Sequence, residues 1–222
     1  MQNQMLSFGH GYSAQALGRV LHPLGWQVSG TTRNPDKAKQ MRAEGVEPLL
    51  WENADAIHAA LRSATHVLAS AGPDAQGDPV LRIFGEEIAK RAGQFKWVGY
   101  LSTTGVYGDH QGQWVDESTP LTPATKRGRA RIAAEAQWQD IPDLGLHIFR
   151  LAGIYGPGRG PFSKVKNGTA RRIIKKNQVF SRIHVEDIAQ ILNASINRPR
   201  FGAMYNVCDD CPAPPQDVIA HA

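Results

Sequence analysis

The chain has 222 residues, 41% of them hydrophobic, enough for one sizeable core and too few for several large ones. Its 25 Lys and Arg against 20 Asp and Glu give a net charge of +5, which favours anionic partners, phosphorylated small molecules as well as nucleic acid. No apolar run approaches the roughly 20 residues that span a bilayer, and MQNQMLSFGHGYS lacks a basic start leading into an apolar stretch. With only two cysteines, these features predict a protein of the reducing cytoplasm with no membrane partner.

Short apolar runs predict strands at Gln4–Phe8, Gln27–Thr31, Glu47–Trp51, His66–Ser70, Trp97–Leu101 and Leu146–Arg150. Between and after them, amphipathic spacing predicts helices at Ser13–Leu24, Pro35–Glu44, Asp55–Leu61, Val80–Arg91, Thr125–Gln139 and Val185–Ile196. This β-α-β-α order implies an α/β fold, a doubly wound parallel sheet of Rossmann type with ligands at the carboxyl ends of the strands. After Arg150 the rhythm loosens into the Gly/Pro-rich GIYGPGRGPF, a basic helix-like stretch and FSRIHVEDIA. Residues 1–150 are thus expected to form a dinucleotide-binding core. Residues 151–222 are expected to form part of a small substrate lobe interleaved with it in one globular unit. The chain stops at PPQDVIAHA, barely into another helix, which suggests a partial version of a longer protein.

Directly after the first strand, GHGYSA fits Gly-x-Gly-x-x-Gly/Ala at the entrance to a helix. Gly9 allows the tight turn, Gly11 the close approach of backbone to a pyrophosphate, and Ala14 close helix–strand packing. His10, Tyr12 and Ser13 complete the candidate cofactor loop. At the tip of the second strand, where an NAD site places a carboxylate for the ribose 2′-hydroxyl, the sequence has Thr32, Arg33 and Asn34. A guanidinium there favours the 2′-phosphate of NADP over NAD. The small residues Ala69, Ser70 and Ala71 after the fourth strand let backbone approach the adenosine half.

YLSTTGVYGD, DESTPLTP, RLAGIYGPG, FSRIHVEDIA and YNVCDD, following GHGYSA in that order, resemble the extended and atypical short-chain dehydrogenases/reductases, the NAD-dependent epimerase/dehydratase group. The resemblance implies that a Ser or Thr three residues before the Val of Val-Tyr-Gly holds the substrate's oxygen, a position that falls on Thr103. It also implies a Tyr acting as general acid/base and a Lys four residues later that grips the nicotinamide ribose. Aligned on PATKRGRARIAAE, those two positions carry Arg127 and Arg131, although Gly128 and Glu135 match the motif. A guanidinium stays protonated at any ordinary pH, so Arg127 cannot exchange a proton with substrate, while Arg131 retains a charge suited to ribose hydroxyls. Tyr107, Tyr155, His184, Asp109 and Asp116 are the other titratable candidates. Tyr107 and Tyr155 also suit packing beneath the cleft, and His184 with Asp187 suits a helix start.

Cys208 and Cys211 form a Cys-x-x-Cys, but no second Cys/His pair accompanies it and two acids sit between them, so no metal site is expected. The run Lys164, Lys166, Arg171, Arg172, Lys175 and Lys176 contains no acid. It reads either as a solvated face or as a lid that attracts an anionic substrate. Without interleaved aromatics or a recognised module, nucleic-acid binding is not expected. The resulting expectation is an NADP-binding oxidoreductase or epimerase/dehydratase for a small, anionic or nucleotide-sugar-like substrate, with a catalytically inactive NADP sensor as the alternative. By resemblance, the Val80–Arg91 and Thr125–Gln139 segments would pair in a homodimer.

Overall fold

A computed structural model describes residues 2–174 and 178–222. Seven parallel strands form one sheet: β1 (Gln4–Phe8), β2 (Gln27–Thr32), β3 (Glu47–Leu50), β4 (His66–Ala69), β5 (Trp97–Thr103), β6 (Leu146–Leu151) and, last in sequence, β9 (Met204–Val207). Their spatial order is β3-β2-β1-β4-β5-β6-β9. The winding reverses between β1 and β4, which opens a crevice at their carboxyl ends. A separate two-stranded parallel pair joins β7 (Gly153–Tyr155) to β8 (Arg182–His184).

Eight α-helices accompany these strands among the described residues: α1 (Tyr12–Leu21), α2 (Pro35–Ala43), α3 (Ala54–Ser63), α4 (Pro79–Lys90), α5 (Lys126–Gln139), α6 (Pro161–Lys166), α7 (Val185–Asn197) and α8 (Pro215–His221). On one sheet face, Ile57 and Leu61 of α3, Phe84 and Ile88 of α4 and Trp138 of α5 pack against the central strands. On the other, Leu17 and Leu21 of α1, Met41 of α2 and Ile188 and Leu192 of α7 do the same. Coverage on both faces explains why β4, HVLA, and β6, LHIFRL, are buried at every residue and read as continuous rather than alternating runs.

Two sequence expectations change. The predicted helix to Leu24 ends at Leu21, where Pro23 forces a short 3-10 turn over His22–Leu24, closed by Gly25 at φ 77°. The basic stretch after Pro161 is helical only over the six residues of α6, with Gly168 at φ 66° just beyond its end. Lys175 and Lys176 lie outside the described residues. Beyond residue 150 the chain returns to the core, since β9 extends the main sheet beside β6.

Candidate active site

The turn between β1 and α1 lies at the crevice. Gly9 has φ 76°, and a Cβ there would stand 2.9 Å from the backbone nitrogen of Ala71, so only glycine lets this turn press against the strand leaving β4. The Gly9 N–H donates to Thr31 Oγ1 at 2.7 Å, and the Ser70 hydroxyl donates to the Gly9 carbonyl at 2.5 Å, fixing the loop from both neighbouring strands. Asn34, Asn53, Asp78 and Thr125 cap α2 to α5 with side-chain oxygens, but α1 has Gly11 at its N-cap and no side-chain cap. Its first N–H groups and the positive end of its dipole therefore face the crevice, the arrangement that receives a pyrophosphate.

The predicted cofactor residues divide by what their side chains do. His10 is 1% exposed and turns inward beneath Gly30, where an added Cβ would stand 2.6 Å from the His10 ring. Its backbone is what the loop offers a ligand. Burial, with Lys37 adding to it, lowers the imidazole from 6.5 to about 4. Ser13 is buried, and Tyr12 reaches across to donate its hydroxyl to the Pro157 carbonyl at 2.9 Å. At the tip of β2, Thr32 Oγ1 accepts from the Asn34 N–H at 3.1 Å, and Asn34 Oδ1 accepts from Asp36 and Lys37 at the start of α2. These local bonds shape the corner and leave Arg33 exposed, with no hydrogen-bond or ion-pair partner among the described residues.

Helix α5 carries the other half of the site. Arg131 is 8% exposed and points inward, donating to the Leu101 carbonyl at 2.7 Å and the Tyr100 hydroxyl at 3.0 Å. Its Nη2 lies 3.8 Å from where a Cβ on Gly72 would be, beside the strand that abuts the Gly9 turn, and its Nε has no partner. Burial pushes the Tyr100 phenol up to about 12, so this pair stays in the neutral-phenol, cationic form. Thr103 ends β5 half-buried, and its hydroxyl oxygen accepts from the Gly105 N–H at 3.2 Å. Arg127 is exposed on the first turn of α5 and unpaired among the described residues.

Below this lies a buried polar chain. Glu135 of α5 accepts from the Ser102 hydroxyl and pairs with Arg150 of β6 at 2.8 Å, both side chains being 3% exposed. Arg150 Nη1 donates to the Tyr107 hydroxyl at 2.8 Å, and that hydroxyl donates to Asn206 Oδ1 of β9 at 2.7 Å. Tyr107 is 2% exposed with both its hydroxyl functions occupied, so it serves as a strut under the cleft.

Beside these residues opens a cavity of about 1430 Å³, between the segment after β5 and the β7–β8 lobe. It is lined among others by Asp109, His110, Trp114, Tyr155, Lys164 and Arg182. Tyr155 therefore faces the cavity, with its ring edge-on to His184 at 5.1 Å between centroids. His184 itself caps α7, accepting from the Glu186 N–H, and Asp187 lies in the first turn of that helix. Asp116 is held by Ser118 and Thr119, whose hydrogen bonds lower its carboxyl. His110 and Trp114 were not singled out from sequence, since a loop of no fixed period gives no signal for which side chains turn inward. His110 Nε2 lies 3.1 Å from the Tyr107 carbonyl, which can only accept, so that nitrogen carries a hydrogen.

The profile of the family described as NAD dependent epimerase/dehydratase family matches residues 9–208. The chain belongs to that family. It is 30% identical over 210 residues to Protein YeeZ of Escherichia coli (strain K12), covering 90% of this chain and 75% of that protein. A functionally unknown conserved protein from Silicibacter pomeroyi DSS has a solved structure 63% identical to it, with a TM-score of 0.94 over 99% of this chain and 77% of that one. The fold also matches UDP-glucose 4-epimerase from Bifidobacterium longum, solved in complex with NAD+ and UDP, at a TM-score of 0.76 and 18% identity, covering 98% of this chain and 82% of the epimerase. The Rossmann fold and nucleotide-cofactor family expected from the motif order are thus those of the chain's relatives.

Proposed function

We propose that the chain is an NADP-dependent oxidoreductase or epimerase/dehydratase acting in the cytoplasm on a small, anionic or nucleotide-sugar-like substrate. The observation that carries the cofactor reading is the uncapped start of α1 packed through Gly9 against the strand leaving β4, a cradle that a Cβ would fill. Preference for the 2′-phosphate rests on Arg33, presented by the Thr32 and Asn34 hydrogen bonds at a strand tip without a carboxylate. When bound, the nicotinamide supplies a hydride donor or acceptor. Arg131, through its Nη2 beside Gly72, holds ribose hydroxyls, and the Thr103 hydroxyl donates to the substrate's oxygen. Proton transfer falls to a group lining the cavity, Asp109, His110 or Tyr155, because the guanidinium of Arg127 cannot release its proton. Lys164 and Arg182 in the same wall support an anionic substrate. A second copy of the chain, joined through α4 and α5, is proposed as its oligomeric partner.

Thermal unfolding with NADP+ and NAD+ tests the cofactor reading directly. At a hundredfold excess over Kd the stabilisation is about 2.7 kcal/mol, or about 5–10 °C for a chain of this size. A larger shift with NADP+ that disappears in Arg33→Ala is expected. Equal shifts with both, unchanged in that variant, would remove Arg33 from the account. Loss of NADPH absorbance with small carbonyl compounds then identifies a reductase, and chromatography of sugar nucleotides incubated with the protein and NADP+ identifies an epimerase or dehydratase, whose cofactor is regenerated in each turnover. Silence in both assays counts against turnover.

A further inference from the structure

Arg159 stands apart from the basic run and from the substrate cavity, and the fold spends several interactions on placing it. The turn Gly156–Arg159 is closed in both directions, the Gly156 N–H donating to the Arg159 carbonyl at 2.9 Å and the Arg159 N–H to the Gly156 carbonyl at 3.0 Å. Pro157 and Gly158, with φ 71°, supply the corner. Gly156 is packed so closely that a Cβ would stand 2.6 Å from the Tyr12 hydroxyl and 2.8 Å from Val185. Tyr12, the first residue of α1, clamps the same turn by donating to the Pro157 carbonyl. The outcome is that the Arg159 guanidinium sits 5.5 Å from the centre of the Tyr12 ring.

This is an unfavourable place for an unpaired cation. The start of α1 already carries the positive end of the helix dipole, no side chain caps it, and Arg159 has no acidic partner among the described residues. Gly160 and Pro161, next in sequence, line the substrate cavity, whereas Arg159 falls on the α1 side of the turn. A cation–π contact with Tyr12 holds the side chain and is weak enough to be exchanged for an ion pair with an anion. From this we infer that Arg159 is a phosphate clamp. It leaves the Tyr12 ring to pair with the pyrophosphate of the dinucleotide, so that the anion lies between the N–H groups of α1 and a guanidinium from the far wall of the crevice. The inference rests on the dinucleotide reading above and assigns its pyrophosphate a second, side-chain contact.

The test is titration of wild-type, Arg159→Ala and Arg159→Lys protein with NADP+, NAD+ and ADP-ribose, monitored by calorimetry at two salt concentrations. Arg159→Ala is expected to bind all three ligands about tenfold more weakly, with a shallower salt dependence, and Arg159→Lys to recover part of the affinity. The exposed position predicts unchanged melting temperatures for the unliganded variants, which separates a binding effect from a folding one. Equal affinities in wild type and Arg159→Ala would overturn the clamp and leave the cofactor reading standing. Weakening confined to NADP+ would reassign Arg159 to the 2′-phosphate and overturn the pyrophosphate contact. Failure of the wild type to bind any of the three would remove the cofactor reading and the clamp together.

Discussion

Glu135→Gln isolates the charge of the buried network from its shape. The glutamine keeps the length and one acceptor oxygen but leaves the Arg150 guanidinium, 3% exposed, facing only neutral partners: an amide oxygen and the Tyr107 hydroxyl. In the parent, Arg150 reaches Glu135 through Nε at 3.3 Å and Nη2 at 2.8 Å, a two-nitrogen grip that a single amide oxygen cannot reproduce. Removing one member of a buried pair costs about 3–5 kcal/mol, and the retained acceptor places this variant near 3. At about 2–4 °C per kcal/mol for a chain of this length, the melting temperature should fall by about 6–12 °C. Urea unfolding gives the free energy directly. Glu135→Leu combined with Arg150→Met removes both charges and should recover at least half of the loss, since no isolated ion is left behind. A single variant within about 0.5 kcal/mol of the parent, or a double variant as unstable as the sum of its singles, would refute the view that uncompensated burial dominates.

Gly9→Ala should destabilise the fold by about 1–3 kcal/mol, through its φ of 76° and the 2.9 Å approach to Ala71, and should abolish the thermal shift with dinucleotide even where the protein remains folded. The imidazoles of His10 and His66 are both lowered to about 4 by burial. The unfolded chain therefore binds the additional protons between pH 6.5 and 4, and stability should be fully present above 6.5 and fall as pH drops through that window, by up to about 1.4 kcal/mol per pH unit for each histidine. His10→Leu should flatten this acid limb in pH-dependent urea unfolding, and an unchanged limb would show that His10 takes up its proton without opening the fold. Arg131→Leu strands the Leu101 carbonyl and the Tyr100 hydroxyl, at about 2–3 kcal/mol, whereas Arg131→Lys can serve both and should lose less than about 1 kcal/mol by urea unfolding.

The order of elements was legible because a parallel sheet covered on both faces writes its strands as apolar runs and its helices as amphipathic ones between them. Six strands and six helices follow from that rule, with ends moved by at most a few residues where Pro23 or an N-cap such as Asn53 intervened. The β7–β8 pair and β9 were not legible as strands. They are three or four residues long and only partly buried, so neither period nor composition sets them apart from loop. Within the site, the glycine turn was legible because backbone geometry restricts residue choice there. The inward turn of His10 and the placement of Arg159 on Tyr12 depend on contacts between residues far apart in the chain, which a linear pattern does not carry.

Helix α5 shows why the family's motif speaks more clearly of fold than of reaction. Two of its positions, Gly128 and Glu135, answer to the scaffold. A Cβ at 128 would stand 2.7 Å from the Gly105 carbonyl oxygen, so glycine is what lets the helix lie against the turn after β5, and Glu135 neutralises a guanidinium sealed within the sheet. Arg127 and Arg131 stand where the resemblance puts its acid/base and its ribose contact, and the scaffold asks different things of them. Position 127 is exposed and open to any polar residue, while position 131 requires a long donor that reaches Leu101 and Tyr100. Arginine meets that requirement and carries a positive charge beside Gly72 at the crevice, a contact that serves the proposed anionic cofactor without any proton transfer. On the proposed reading, cofactor affinity and turnover are separable properties of this helix, and substitutions at Asp109, His110 and Tyr155 across the cavity are the ones expected to lower turnover while leaving cofactor affinity unchanged.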